Sequence, residues 1–137
     1  MTNRLNQPIE YGLKKVNLPL IIVDINGHNA CFLIDTGATL NLIDKRVYEH
    51  FKELLKKVGN ISQIGIDGIL NEAERVEISF KFENYPFTSL FTIFDTSKAF
   101  DRVEKESGIQ IHGVLGNEFL LEHKWIIDYE KLSVFSK

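Results

Sequence analysis

The sequence predicts an all-β protein with small helices. Three observations carry this: paired apolar runs joined by turn residues, a strict in–out alternation near residue 80, and helical periodicity confined to short segments. The first pair runs from Asn17 to Ile25 and from His28 to Asp35, both rich in Ile, Leu and Val. Asn26-Gly27 joins them, and both residue types tolerate the positive φ of a tight hairpin turn. Val76, Ile78, Phe80 and Phe82 then alternate with polar residues. Beyond Glu83-Asn84-Tyr85-Pro86, the stretch from Phe87 to Phe94 reads as their partner strand. A third hairpin is predicted where residues 125–129 and 132–135 flank Glu130-Lys131.

Helices come second. After Asp44, the residues Val47, Phe51, Leu54, Leu55 and Val58 form one stripe at helical spacing, which predicts a helix to Val58 with Asp44 as N-cap and Gly59 as stop. A polar helix is predicted from Ser97 to Glu106, ending at Gly108, and another from Asn117 to His123. No repeat or linker-like tract interrupts the 137 residues, so they read as a single domain, 1–137.

Composition narrows the function. Apolar residues make up 44% and charged residues 26%, the balance of an ordinary globular chain. The net charge of −3 and the lack of any basic run argue against a nucleic-acid partner. The first twenty residues are too polar for a signal peptide, and no apolar run approaches the roughly 20 residues of a membrane helix, so no membrane partner is expected. Cys31 is the only cysteine, which forbids an internal disulfide and fits a reducing compartment; the cytoplasm is the expected location.

Most catalytic patterns are missing. The four histidines show no His-x-x-x-His pair, and one cysteine builds no zinc framework, so neither a metal nor a cofactor is expected. Gly65-Ile66-Asp67-Gly68 and Gly113-Val114-Leu115-Gly116 are close glycine pairs, yet neither is a phosphate loop. There is no G-x-S-x-G elbow, and Cys31, among apolar neighbours in a strand, reads as an inert core residue.

What remains is Phe32-Leu33-Ile34-Asp35-Thr36-Gly37-Ala38-Thr39, an apolar strand that delivers a carboxylate into a Thr-Gly turn. A carboxylate so placed is poorly solvated, the environment in which functional acids are tuned. The threonine can brace the loop through its hydroxyl, and the glycine allows a sharp turn and close approach to a ligand. On its own, Asp-Thr-Gly also suits a plain strand-ending turn.

A second segment, Ile111-His112-Gly113-Val114-Leu115-Gly116-Asn117-Glu118-Phe119-Leu120-Leu121, places two apolar residues and a glycine before a helix start. In this order the two segments resemble the retropepsin-like aspartic proteases, single-domain relatives of the retroviral proteases. Leu33-Ile34-Asp35-Thr36-Gly37-Ala38 is similar to the family's catalytic loop, and Val114-Leu115-Gly116 to the segment that passes beside it. Ile64, Gly65, Ile66, Asp67 and Gly68 stand where the family has its substrate-covering flap. The resemblance spans about residues 17 to 135, and implies a closed-barrel-like fold completed by a homodimer. The predicted helix from Asp44 to Val58 and the polar segment from Thr96 to Gln110 are longer than a minimal viral enzyme has there, and look closer to cellular or bacterial relatives.

The resemblance implies an aspartic endopeptidase in which two copies of Asp35 activate water against an extended peptide. Only one Asp-Thr-Gly is present, because Phe94-Asp95-Thr96-Ser97 lacks the glycine and Asp95 reads as a strand-end residue. The second carboxylate is therefore expected from a second chain. Thr36 would cross-brace the two loops, Gly37 would contact substrate or carboxylate through its backbone, and the chain ends would pair between subunits, with Leu132, Val134 and Phe135 as candidates either for that contact or for the ordinary core. The alternative is a catalytically inactive dimer of the same fold that binds a peptide along a strand edge.

Overall fold

The computed structural model describes residues 5–64 and 70–136, with side chains described for 9–60 and 72–136. In chain order the elements are β1 (Leu5–Pro8), α1 (Glu10–Val16), β2 (Leu20–Ile25), β3 (His28–Ile34), β4 (Leu42–Asp44), α2 (Lys45–Phe51) and β5 (Lys56–Ile64). There follow β6 (Leu70–Phe82), β7 (Tyr85–Phe94), α3 (Ser97–Ser107), β8 (Gly113–Leu115), α4 (Asn117–His123), β9 (Ile126–Asp128) and β10 (Ser133–Ser136).

Six strands close into a barrel in the order β2-β3-β8-β4-β7-β6, shut by the pairing of Asp24 on β2 with Lys81 on β6, and β5 extends outward from β6. The three predicted hairpins are present. Asn26 and Gly27 both have positive φ, at 50° and 85°, as a two-residue turn between twisted strands requires. The second turn is tighter than expected: Glu83 and Asn84, at φ 49° and 69°, form it alone, and Tyr85 and Pro86 already belong to β7. In the third, the Asp128 carboxylate accepts from the amides of Glu130 and Lys131.

The alternation of β6 is realised as read: Val76, Ile78, Phe80 and Phe82 point into the barrel and are buried. They meet Phe32 of β3 and Phe91 of β7, with Phe32 and Phe80 ring centroids 5.4 Å apart, edge to face. Burial of each such ring contributes roughly 1.5–3 kcal/mol. A second apolar cluster lies on the outer face of β2, β3 and β8, built on Leu20, Cys31, Leu33, Ile111 and Val114. Phe100 and Val103 of α3 and Val16 of α1 pack over it.

Three expectations are corrected. The helix after Asp44 stops at Phe51, because the chain from Lys56 onward pairs with β6; Val47 and Leu55 do pack on the core, but Leu54 and Val58 are exposed. Gly59 lies within β5, opposite Arg75 and just past a bulge at Val58, rather than stopping a helix. Asn17 is the left-handed cap of α1, and the first strand begins at Leu20. Finally, the chain ends pair with each other in one chain: β10 lies between β1 and β9, and Val134 is fully buried in the barrel core. The polar helix and the helix at Asn117 form as expected, with Gly108 in left-handed conformation ending the former.

His112, just before β8, joins the barrel through both backbone and ring. Its amide donates to the Cys31 carbonyl at 2.8 Å, and its Nδ1 accepts from the Cys31 amide at 2.8 Å. Nδ1 accepts only while it carries no proton. Burial holds the His112 pKa below the usual histidine value, against the opposing pull of Asp44 and Glu104. The unfolded chain therefore binds the proton more readily, so this contribution to stability is complete above the ordinary histidine range, roughly pH 6.5, and is lost as pH falls through it. His112→Asn, whose amide oxygen can accept without titrating, should flatten this slope in thermal melts between about pH 5 and 8.

Candidate active site

Asp35 follows directly on β3, and the alternation of that strand decides where it points. Ala30, Phe32 and Ile34 face the barrel interior, while Cys31 and Leu33 face the outer cluster. Asp35 continues the outward set. It is half-buried, and its amide donates to the Leu115 carbonyl of β8 at 3.0 Å.

The loop closes on itself beyond Asp35. The Gly37 amide donates to Asp35 Oδ1 at 2.9 Å, and the Ala38 amide to the Asp35 carbonyl at 3.2 Å. The carboxylate is thus held by its own turn through Oδ1. The start of α4 supports the loop from behind: Asn117 Nδ2 donates to the Thr36 carbonyl at 2.9 Å, and the Asn117 amide to the Ala38 carbonyl at 2.8 Å. Among the described hydrogen bonds the backbone and Asn117 brace the loop, and the exposed Thr36 contributes its carbonyl rather than its hydroxyl.

Val114 and Leu115 lie on β8, and Gly116 follows as the N-cap of α4. β8 runs parallel to β3, with Leu33 opposite Val114 and Ile34 opposite Leu115, and antiparallel to β4 on its other side. Of the expected flap, Ile64 ends β5 opposite Leu70, the first residue of β6. Gly65, Ile66, Asp67 and Gly68 lie outside the described residues.

Behind the loop is a polar cluster that the sequence did not announce. Asn41 is fully buried and uses every polar atom: Nδ2 donates to Ser89 Oγ and the Leu90 carbonyl, and Oδ1 accepts from Gly116 at 2.8 Å. Its amide donates to Glu118 Oε1, and its carbonyl accepts from Thr92. Glu118 Oε2 in turn meets Arg75 Nη2 at 2.7 Å, and Arg75 Nη1 donates to Thr92 Oγ1. Arg75 stands at an outward position of β6, where an arginine normally reaches solvent, and Glu118 looks like a helix-start acid. Nothing in the spacing couples them.

The other candidates fall elsewhere. β4 and β7 run opposite to β3 and β8, so Asp44 and Asp95 leave the sheet at the end away from Asp35. Asp95 is exposed, and its carboxyl is held low by the Ser97 hydroxyl and amide. The Cys31 thiol is pushed up to about 11 by burial, the state of an inert core residue. Among the described residues no group of three or more His, Cys, Asp or Glu could hold a metal ion. Concavities of about 330 Å³, between His28, Arg46 and His112, and about 450 Å³, over Ile22 and Cys31, do not include Asp35. No helix among the described residues is long and apolar enough to cross a membrane.

A family model described as aspartyl protease matches residues 21–119, from β2 into α4. No curated protein matches the sequence significantly. Among solved structures the chain is similar to the retroviral protease-like domain of Ddi1 from Leishmania major, at 16% identity, a TM-score of 0.60 and 85% coverage of both chains. It is also similar to the protease of simian foamy virus (mac), at 14% identity and a TM-score of 0.50, covering 74% of this chain and 91% of that one. EIAV protease in complex with the inhibitor HBY-793 is similar at 20% identity and a TM-score of 0.53, covering 77% of this chain and 86% of that one. At these identities the likeness is one of fold, and the fold is retropepsin-like.

The close passage of Gly116 under the loop is open to test. A Cβ there would meet the carbonyl oxygens of Leu40 and Ala38, the latter at 2.8 Å, and backbone cannot swing aside as a side chain can. Gly116→Ala should destabilise the chain by about 1–3 kcal/mol or more, read as a lower urea midpoint at unchanged slope.

Proposed function

Because the chain belongs to the aspartyl protease family and has the retropepsin-like fold, we propose that it is an aspartic endopeptidase acting as a homodimer. The observation that carries this is the Asp35 loop: an outward carboxylate, oriented by the Gly37 amide and seated on Val114-Leu115-Gly116. Among the described residues the chain supplies one such carboxylate. The acid at the end of β7, Asp95, lies at the opposite end of the barrel, so a second copy of Asp35 must complete the pair.

Two carboxyls brought side by side share one proton, since both cannot easily carry charge. The ionised one takes a proton from a water held between them, and the oxygen of that water bonds to the peptide carbonyl carbon. The protonated one gives its proton to the carbonyl oxygen. Proton transfer to the amide nitrogen then lets the C–N bond break, yielding a carboxylic acid and an amine. In this reading Thr36 braces the paired loops, Gly37 and Ala38 border the peptide, and the segment from Ile64 to Gly68 covers it.

In this reading the dimer contact leaves the β1-β10-β9 sheet intact, consistent with its strands pairing within the chain. Its outer strands are β1 and β9, and exposed Ile126 on β9 and Tyr129 just after it, with Leu121 on α4 one turn beyond the loop's support, offer apolar surface to a second copy.

An unbiased peptide library is the primary test, since it also supplies the cleavage preference. Asp35→Asn should lower kcat by about 10²–10⁴-fold or more while circular dichroism and dimer mass stay unchanged. Activity near wild type would sink the assignment; a folded dimer that binds peptides without cutting them would favour the inactive alternative. The dependence of kcat/KM on pH should be bell-shaped with an acidic optimum, because the pair works only with a single proton. Mixing wild-type chains with excess Asp35→Asn chains should depress activity beyond dilution, and unchanged activity under confirmed exchange would show each chain acting alone.

A further inference from the structure

The register of β6 marks where the β5–β6 hairpin leaves the barrel. β6 pairs with β7 from Arg75 opposite Thr92 to Phe82 opposite Tyr85, but with β5 from Glu77 opposite Lys56 out to Leu70 opposite Ile64. Residues 70–74 therefore have only β5 beside them in the described ladders, and Arg75 is the last residue held from both sides. The β5 side of this root is irregular, because the ladder shifts between Lys57 and Gly59, and Gly59 stands opposite Arg75 at φ 133°. Such a bulge interrupts pairing and re-aims the strand beyond it. The direction of the hairpin thus needs a constraint other than its own ladder.

Arg75 is placed to provide one. Its buried guanidinium is forked between Thr92 Oγ1, at 3.0 Å on the barrel, and Glu118 Oε2, at 2.7 Å on α4. The other oxygen of Glu118 accepts from the Asn41 amide at 2.5 Å, and Asn41 Oδ1 accepts from the Gly116 amide at 2.8 Å. Gly116 lies directly under the carbonyls of Ala38 and Leu40. Three contacts therefore link the hairpin root to the backbone beneath the Asp35 loop. Neither charge can shift alone without leaving its partner unpaired in a poorly solvated place.

We propose that Arg75 and Glu118 are positioning residues that set the root of the β5–β6 hairpin and the Asp35 loop together. The kinetic consequence rests on Asp35 being catalytic; the coupling itself does not.

Hydrogen exchange on the full chain separates the two. Arg75→Met and Asn41→Ala cut the relay at its opposite ends, with circular dichroism to establish that each is folded. Coupling requires that Arg75→Met raise exchange at residues 36–41, and that Asn41→Ala raise it at residues 70–75, by about tenfold, within the usual range for linked sites. Changes confined to the mutated end overturn the proposal. If either variant unfolds, Arg75→Lys serves in its place, since it keeps the charge but has no fork to span Thr92 and Glu118. Raised exchange at residues 36–41 then supports the coupling, and unchanged exchange overturns it. On a peptide cut by wild type and not by Asp35→Asn, Arg75→Lys should lower kcat and raise KM together. A mere loss of folded protein lowers kcat at constant KM, and that result would reduce Arg75 to a structural role. If wild type cuts no peptide, the proposed function fails, while the exchange data still decide the coupling.

Discussion

β8 has to pass between β3 and β4 through a gap with no room for a side chain at Gly113 or Gly116. At Gly113 the limit is the Leu42 carbonyl and the Phe32 ring, and at Gly116 it is the carbonyls of the Asp35 loop. The strand is three residues long and pairs in parallel on one side and antiparallel on the other, so almost none of its stability is local. Through this passage the Asp35 amide gains the Leu115 carbonyl, and β4 gains the His112 carbonyl for the Asp44 amide. Without it the segment from Asp35 to Asn41 would be a turn with nothing inside it.

The molecule has two kinds of interior. Toward α4 the barrel is aromatic: Phe80, Phe87, Phe119 and Trp125 pack at centroid separations of 4.9–5.7 Å, several of them edge to face. Such pairs contribute about 0.5–1.5 kcal/mol beyond burial, and tolerate small shifts. Behind the Asp35 loop the interior is polar, and Asn41 has a partner for every donor and acceptor. A hydrogen-bonded interior of this kind tolerates much less displacement, because each bond has a direction as well as a distance. The stiffer material lies next to the candidate chemistry.

What the sequence made legible follows the range of the forces involved. The hairpins after Ile25 and Phe82 and the helices at Ser97 and Asn117 were readable, because turn chemistry and helical spacing act between residues a few positions apart, although the second turn is two residues shorter than its four-residue signal suggested. The Asp35 loop and Val114-Leu115-Gly116 were readable only as a pair. The stretch from Lys52 to Val58 misled because apolar residues at helical spacing give the same pattern whether or not a neighbouring strand claims them; here β6 claimed the chain from Lys56. Asn41, Arg75 and Glu118 were invisible for the same reason carried further. Each is unremarkable locally, and their bonds span 43 and 77 positions.

The pairing of β1 with β10 sets Leu5 opposite Ser136, so the described chain begins and ends on adjacent strands. Partners across an antiparallel ladder are roughly 5 Å apart, a gap that a short peptide can bridge. In topological terms the described elements form a nearly closed circuit, and where such a circuit is opened is separable from how it is folded. A bridge from Ser136 to Leu5, with a new opening at the exposed Asn26-Gly27 turn, would keep every strand neighbour of the barrel and make β10 and β1 one continuous connection.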